Sequence, residues 1–158
     1  MQLSQFTDYA LRTLILVALN GDRRTTIDEI ATRYGISKEH LRKVVHLLSR
    51  LGILQSTRGK NGGLRLNITP ETLRIGDIVR ATEGGFAMAE CLRADQAGQC
   101  PIDGVCRLSG ILRGATTAFL AELDRHTLAE LVAERDSLLR RLTARPVSET
   151  TRQALNPP

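Results

Sequence analysis

The chain has 158 residues, a formal charge of +5, only 3% aromatic residues with no Trp, and three cysteines. That length suits a single core, leaves a long helix to seek a partner chain, and the shortage of aromatics argues against base-stacking recognition of single strands. The charge is uneven: residues 1–80 hold 13 Lys/Arg against 7 Asp/Glu, while residues 81–158 hold 9 against 10, so the half suited to a polyanion is the first.

In chain order, Leu3, Phe6, Ala10, Leu11, Leu14, Val17 and Ala18 recur at helical spacing, and Asn20-Gly21 offers a left-handed cap. Asp8 and Arg12 lie off that stripe at i, i+4 and can pair on the surface. They also interrupt the early apolar residues, and the longest apolar run, Leu14 to Leu19, is six residues. Neither a cleavable signal peptide nor a membrane span is expected, which points to the reducing cytoplasm.

Thr26-Ile27-Asp28-Glu29 has capping-box spacing and predicts a short helix carried by Ile30, Ala31 and Tyr34 up to Gly35. Ser37 can cap a third helix whose inward face is Leu41, Val44, Val45 and Leu48, with Gly52 stopping it. Two short helices around a glycine turn make a helix-turn-helix. Ile53 to Arg58 can pair with the alternating Leu64, Leu66 and Ile68 across Gly59-Lys60-Asn61-Gly62-Gly63, giving a hairpin with a basic tip, the wing of a winged helix. Thr69-Pro70 restarts the chain, and Ile75, Ile78 and Val79 predict a short helix ending near Gly84-Gly85.

Residues 84–107 have no sustained period and contain every cysteine. Leu108, Ile111, Leu112, Ala115, Phe119, Leu120 and Leu123 then form a wide apolar stripe that needs a partner surface, in this chain or a second one. Thr127 with Glu130 makes a second capping box, starting one final helix through Leu128, Leu131, Val132, Leu138, Leu139 and Leu142. The expected fold is mainly α with a small β-hairpin wing. A winged helix-turn-helix DNA-binding domain covers 1–83, a cysteine loop 84–107, dimerisation helices 108–145 and a polar tail 146–158.

On the third helix Lys38, Glu39, His40, Arg42, Lys43, His46 and Arg50 fall on the outward positions, with Ser37 at the start. A lone helix with this face would be a solvated surface; beside a basic hairpin it reads as a recognition helix for the major groove of double-stranded DNA. Arg58 and Lys60 on the wing would then touch backbone phosphate or the minor groove. Glu39 is repelled by phosphate, so it points away or pairs with a base.

Cys91, Cys100 and Cys106 are spaced C-x8-C-x5-C, too open for zinc-finger hooks and unlike the ferredoxin run. Three buried thiols filling core space would be the plain alternative, but their surroundings are poor in apolar residues. Three thiolates leave a metal site one ligand short. His40, His46, His126, a carboxylate or a group from a second subunit could complete it. A thiol–disulfide switch without metal and a zinc-structured regulator compete with this reading. A metal-dependent enzyme with a catalytic zinc on the cysteines finds no pocket acid, nucleophile or glycine-rich phosphate cradle in the sequence to support it.

The opening Met1-Gln2-Leu3 with Phe6-Thr7-Asp8-Tyr9-Ala10-Leu11-Arg12, the wing Arg58 to Leu66, the run Arg74-Ile75-Gly76-Asp77-Ile78-Val79 and the three cysteines together resemble the IscR/NsrR-type family of iron–sulfur winged-helix regulators. The likeness spans about residues 1–143. It implies a homodimeric bacterial repressor of the nitric-oxide-sensing kind, carrying a [4Fe–4S] cluster on Cys91, Cys100 and Cys106, with the remaining iron held by a first-helix aspartate of the other subunit. Asp8 matches that position. IscR-type proteins place a His three residues after the third cysteine, where this chain has Ser109, which speaks against their [2Fe–2S] site. A [2Fe–2S] cluster held by a first-helix Glu or His occurs on the same fold and stays the alternative.

Overall fold

The computed structural model describes residues 2–60 and 62–144; the wing residue Asn61 and the predicted tail 146–158 lie outside the described residues. The elements are α1 (Gln5–Asn20), α2 (Ile27–Tyr34), α3 (Lys38–Arg50), β1 (Leu54–Thr57), β2 (Gly63–Leu66), α4 (Ile75–Thr82), two 3-10 turns at Glu90–Leu92 and Ala94–Gln96, α5 (Arg107–Asp124), α6 (Leu128–Leu131) and α7 (Arg135–Ala144). This is the expected mainly helical fold with one antiparallel hairpin.

Side-chain caps set the early helix starts. Ser4, Thr26 and Ser37 accept from the backbone N–H three residues on, at 3.2, 3.1 and 3.3 Å, each satisfying a donor that no helical carbonyl can reach. The expected capping box at Thr26 is only half made. Glu29 turns instead to Arg23, at 2.6 and 3.1 Å, and leaves the reciprocal bond unformed. The box at Thr127 and Glu130 is complete. Gly35 takes the left-handed conformation (φ 71°, ψ 23°) that turns α2 into α3 and that a side chain would disfavour. Gly21 has positive φ but ψ −123°, outside the left-handed region expected of it.

The core is the inner face of the helix-turn-helix and its supports. Leu14, Leu16 and Val17 of α1, Ile30 of α2, Leu41, Val44 and Leu48 of α3, and Ile78 and Val79 of α4 are all essentially inaccessible. β1 and β2 pair with Leu54 opposite Leu66 and Ser56 opposite Leu64. Thr25 bridges to Leu64 with both backbone hydrogen bonds, at 3.0 and 2.8 Å, so the link before α2 adds a third rung to the hairpin. Buried Asn20 donates to Thr25 Oγ1 at 2.7 Å and fixes this link.

The last helix departs from expectation. One continuous helix after Thr127 is predicted, but the chain turns at residues 132–134 and gives α6 and α7. Leu128 is fully buried in α6 while Leu142 packs on the core from α7. The turn lets α6 lie on α1 and α7 lie on α2. Arg135 Nε donates to Leu19 O at 2.9 Å and Arg33 to Leu142 O at 3.2 Å, tying α7 to the ends of α1 and α2. Among the described residues no helix is long and apolar enough to cross a membrane.

Candidate functional site

Because Leu41, Val44, Val45 and Leu48 are drawn into the core, the opposite face of α3 is presented outward. Lys38, His40, Arg42, Lys43 and His46 are exposed there, and Ser37 caps the helix end. Lys38 Nζ meets Asp28 at 3.0 Å, and Lys43 Nζ meets Glu39 at 3.3 Å, which accounts for the acid on a basic face. Both pairs are exposed, and such pairs hold their partners weakly. Arg58 and Lys60 are exposed around the hairpin turn, with no ion pair among the described residues.

His40 also makes contacts that its position in the sequence did not reveal. Its Nδ1 lies 3.0 Å from Ser37 Oγ, and its ring centroid lies 6.0 Å from that of buried Tyr9 in α1. Tyr9 follows Asp8 directly. Asp8 accepts from Arg12 Nε at 2.9 Å, the pair expected from their spacing, and the Arg12 guanidinium stands 5.8 Å over the Tyr34 ring at the end of α2. Burial pushes the Tyr34 hydroxyl up to about 12, with Arg12 opposing and Asp8 assisting. Burial and Asp8 likewise push Tyr9 up against Arg12. Both phenols stay protonated, so this patch of α1 reaches both helices of the DNA-binding motif through neutral rings.

Cys91 sits in the first 3-10 turn, Cys100 between the second turn and α5, and Cys106 at the N-cap of α5 without a side-chain cap bond. All three are free thiols of intermediate exposure. Cys91 and Cys100 line one cleft of about 440 Å³ with Glu90, Gln96, Gln99 and Pro101. Cys106 lies outside that lining, and Ser109 beside it spends its hydroxyl on Cys106 O at 2.9 Å. Among the described residues no three His, Cys, Asp or Glu side chains converge as a metal site. One chain by itself therefore gathers two thiols, and it does not bring Cys106 and Asp8 to them as one ligand set. His126 is held between Glu130 (2.8 Å) and Glu122 (3.4 Å), at the junction of α5 and α6.

The loop hangs on α5, with Thr116 Oγ1 donating to Phe86 O at 3.4 Å. Only the second half of the α5 stripe is used within the chain: Leu120 and Leu123 pack against the core, while Leu108 and Ile111 remain 57% and 66% exposed.

Comparison with known proteins matches residues 3–134 to the family described as Rrf2, iron-dependent transcriptional regulator. The HTH-type transcriptional regulator NsrR of Bacillus subtilis is 42% identical over 143 residues, covering 90% of this chain and 97% of the relative. NsrR of Halalkalibacterium halodurans is 40% identical over 147 residues, covering 92% and 100%. Among solved structures, CymR (YrzC), the global cysteine regulator of B. subtilis, superposes with a TM-score of 0.66 at 26% identity over 85% of this chain and 98% of its own. A helix-turn-helix with a wing, a basic outward α3 and a match over most of the length lead to one conclusion: the chain is an NsrR-type member of the Rrf2 family of transcriptional regulators.

Proposed function

We propose that this protein is a homodimeric repressor that senses nitric oxide through a [4Fe–4S] cluster, releases operator DNA on nitrosylation and so controls nitrosative-stress genes. The observation that carries the reading is the set of three free, half-exposed thiols on a loop attached to a helix whose apolar face is left open. Soft thiolates are the donors that iron–sulfur clusters take, and none of the three is committed to a disulfide or a core contact, so the donor set fits. Cys91, Cys100 and Cys106 would hold the group, with Asp8 of the partner subunit as the remaining ligand. When bound, the cluster supplies an iron whose carboxylate ligand is harder and weaker than thiolate, and hence open to nitric oxide.

This chain's residues do the rest. Leu108 and Ile111, too exposed for a lone chain of this size, pair with their copies and set the two subunits side by side. Arg12 holds Asp8 when nothing else does and gives it up when it is wanted elsewhere; their pair is exposed and cheap to break. Any change at Asp8 bears directly on Tyr9, and through its ring on His40 at the start of α3. Two recognition helices must meet half-sites about one DNA turn apart, so a small change of tilt is enough to lose the operator.

Anaerobic purification followed by iron and sulfide counting, then a nitric oxide titration read by absorbance and operator binding in parallel, tests the proposal. About four irons per subunit, and loss of binding that tracks the spectral change, are expected for a cube of that type. A colourless, iron-free protein that still holds its promoter and ignores nitric oxide overturns it and leaves the thiol–disulfide switch as the better account.

A further inference from the structure

The wing carries an arginine pair outside its basic tip. The bridge Thr25↔Leu64 sets the antiparallel register, which puts Arg24 opposite Arg65 and, on the other side, Gln55 opposite Arg65. Thr25 and Leu64 are buried at 0% and 2%, so they face the core, and the alternation of a strand turns Arg24 and Arg65 to the outer face together. Gly63 supports this placement independently. A Cβ built there would come to 3.0 Å from the Arg24 Cβ and 3.1 Å from Thr25 O, so the glycine lets the Arg24–Thr25 segment close on the hairpin.

Neither arginine has an ion pair or side-chain hydrogen bond among the described residues, and Arg65 Nε is shut off from solvent with no acceptor. By contrast Arg12, Arg23, Arg80, Arg93 and Arg125 each hold an acid. Like charges placed directly across a strand pair repel, and a shielded unpaired N–H is unfavourable. A single anion between the two guanidinium groups answers the repulsion.

We propose that Arg24 and Arg65 form a shared site for one DNA backbone phosphate on the outer face of the wing, extending the contact made by Arg58 and Lys60. The pair stands two residues, about 7 Å, from the strand end at Gly63, so it continues the basic tip along the hairpin. Paired guanidinium groups suit a tetrahedral oxyanion, which accepts several charge-assisted bonds at once. Such a contact fixes the register of the protein on the duplex and reads no base. The inference rests on the reading of α3 and the wing as the DNA-facing surface.

The test is fluorescence anisotropy of a labelled mixed-sequence duplex against the full-length protein across a salt series. Losing one phosphate contact lowers the slope of log affinity against log salt by about 0.9. The double variant Arg24→Gln with Arg65→Gln is expected to lower the slope by that amount, and each single variant by less, because the remaining arginine still meets the shared phosphate. Arg24→Lys with Arg65→Lys keeps the slope. Without DNA the double Gln variant melts no lower than the parent, since a repulsion has been removed. If Arg58→Gln with Lys60→Gln lowers the slope while the Arg24 and Arg65 variants do not, the phosphate site is wrong and the DNA-facing reading stands. If neither pair lowers it, that reading falls as well.

Discussion

At Asp8 the chain keeps a carboxylate that its own fold scarcely needs. The bond to Arg12 is 41% and 34% exposed at its two ends, and pairs of that kind contribute about 0–1 kcal/mol. Asp8→Ala is therefore expected to leave the melting temperature nearly unchanged and the iron content intact, while altering the visible spectrum and the nitric oxide response; an unchanged response removes Asp8 from the ligand set. His126 makes the opposite case, a titratable side chain whose work lies within its own chain. Hydrogen bonds to Glu130 and then Glu122 raise its imidazole above the ordinary 6.5, and the bond from His126 lowers Glu130 below 4.5. Because the folded value of His126 is raised, its stabilisation is fully present below 6.5 and is lost as pH rises through the folded value. Glu130 contributes above 4.5 and loses its share as pH falls through its lowered value. Thermal melts should thus show a fall in stability from mildly acidic to alkaline pH that His126→Gln flattens. The effect will be small because both groups are exposed, and a parallel fall in the variant would assign it elsewhere.

Among the elements, α5 has the least support from its own chain. None of its residues is buried, its second half leans on α4 and the core, and its first half presents Leu108 and Ile111 beside exposed Ile102 and Val105. Ile111→Glu places a charge on that face without touching the core. Sedimentation should report a monomer with a near-parental melting temperature; a dimer that survives the charge would place the interface elsewhere. The apolar spacing of α5 was plain in the sequence, and so was the helix-turn-helix, because Ser37, Gly35 and the Leu41–Leu48 face act within a few residues of one another. Local chemistry of that range is what a sequence displays. The third rung at Thr25, the turn between α6 and α7, and the Tyr9–His40 contact depend on partners 31 to 39 residues apart or more, as with Arg135 and Leu19, where the separation is 116. Periodicity carries no trace of them. The cysteine loop lies between these extremes. Its candidate donors could be named from residue type, yet only Cys91 and Cys100 share a cleft in one chain, and no spacing in the sequence displays that.

At the scale of the molecule, the open helix and the cysteine loop are tied to the winged unit through one end of α5. The C-terminal end of α5 is clamped to the entry of α4. Asp124 pairs with Arg80, Arg74 donates to Asp124 O at 3.2 Å, Ile75 N to His126 O at 3.0 Å, and Leu128 N to Leu73 O at 2.9 Å. From there α6 and α7 return to the ends of α1 and α2, so α5 has two attachments to the winged unit. At the other end of α4, Glu83 accepts from Ser4 N at 2.8 Å; burial would raise its carboxyl, but the bonds from Thr7 and Ser4 prevail and lower it, so the charged form holds the start of α1. The clamp depends on Gly76, which is buried in the first turn of α4. A Cβ there would run into the Asp124 carboxylate and come within 3.1 Å of the Arg80 guanidinium. Overpacking of this sort costs about 1–3 kcal/mol where the neighbours must move. Gly76→Ala should therefore push the Asp124 carboxylate off Arg80 and, since alanine regains about 0.5–1 kcal/mol of helix propensity, lower unfolding stability by less than that amount in urea titrations. If the clamp is what couples α5 to the recognition helices, the variant also loses operator affinity while it remains dimeric and keeps its iron. Retention of full affinity and full nitric oxide sensitivity, despite the destabilisation, would show that the signal travels through α1 alone.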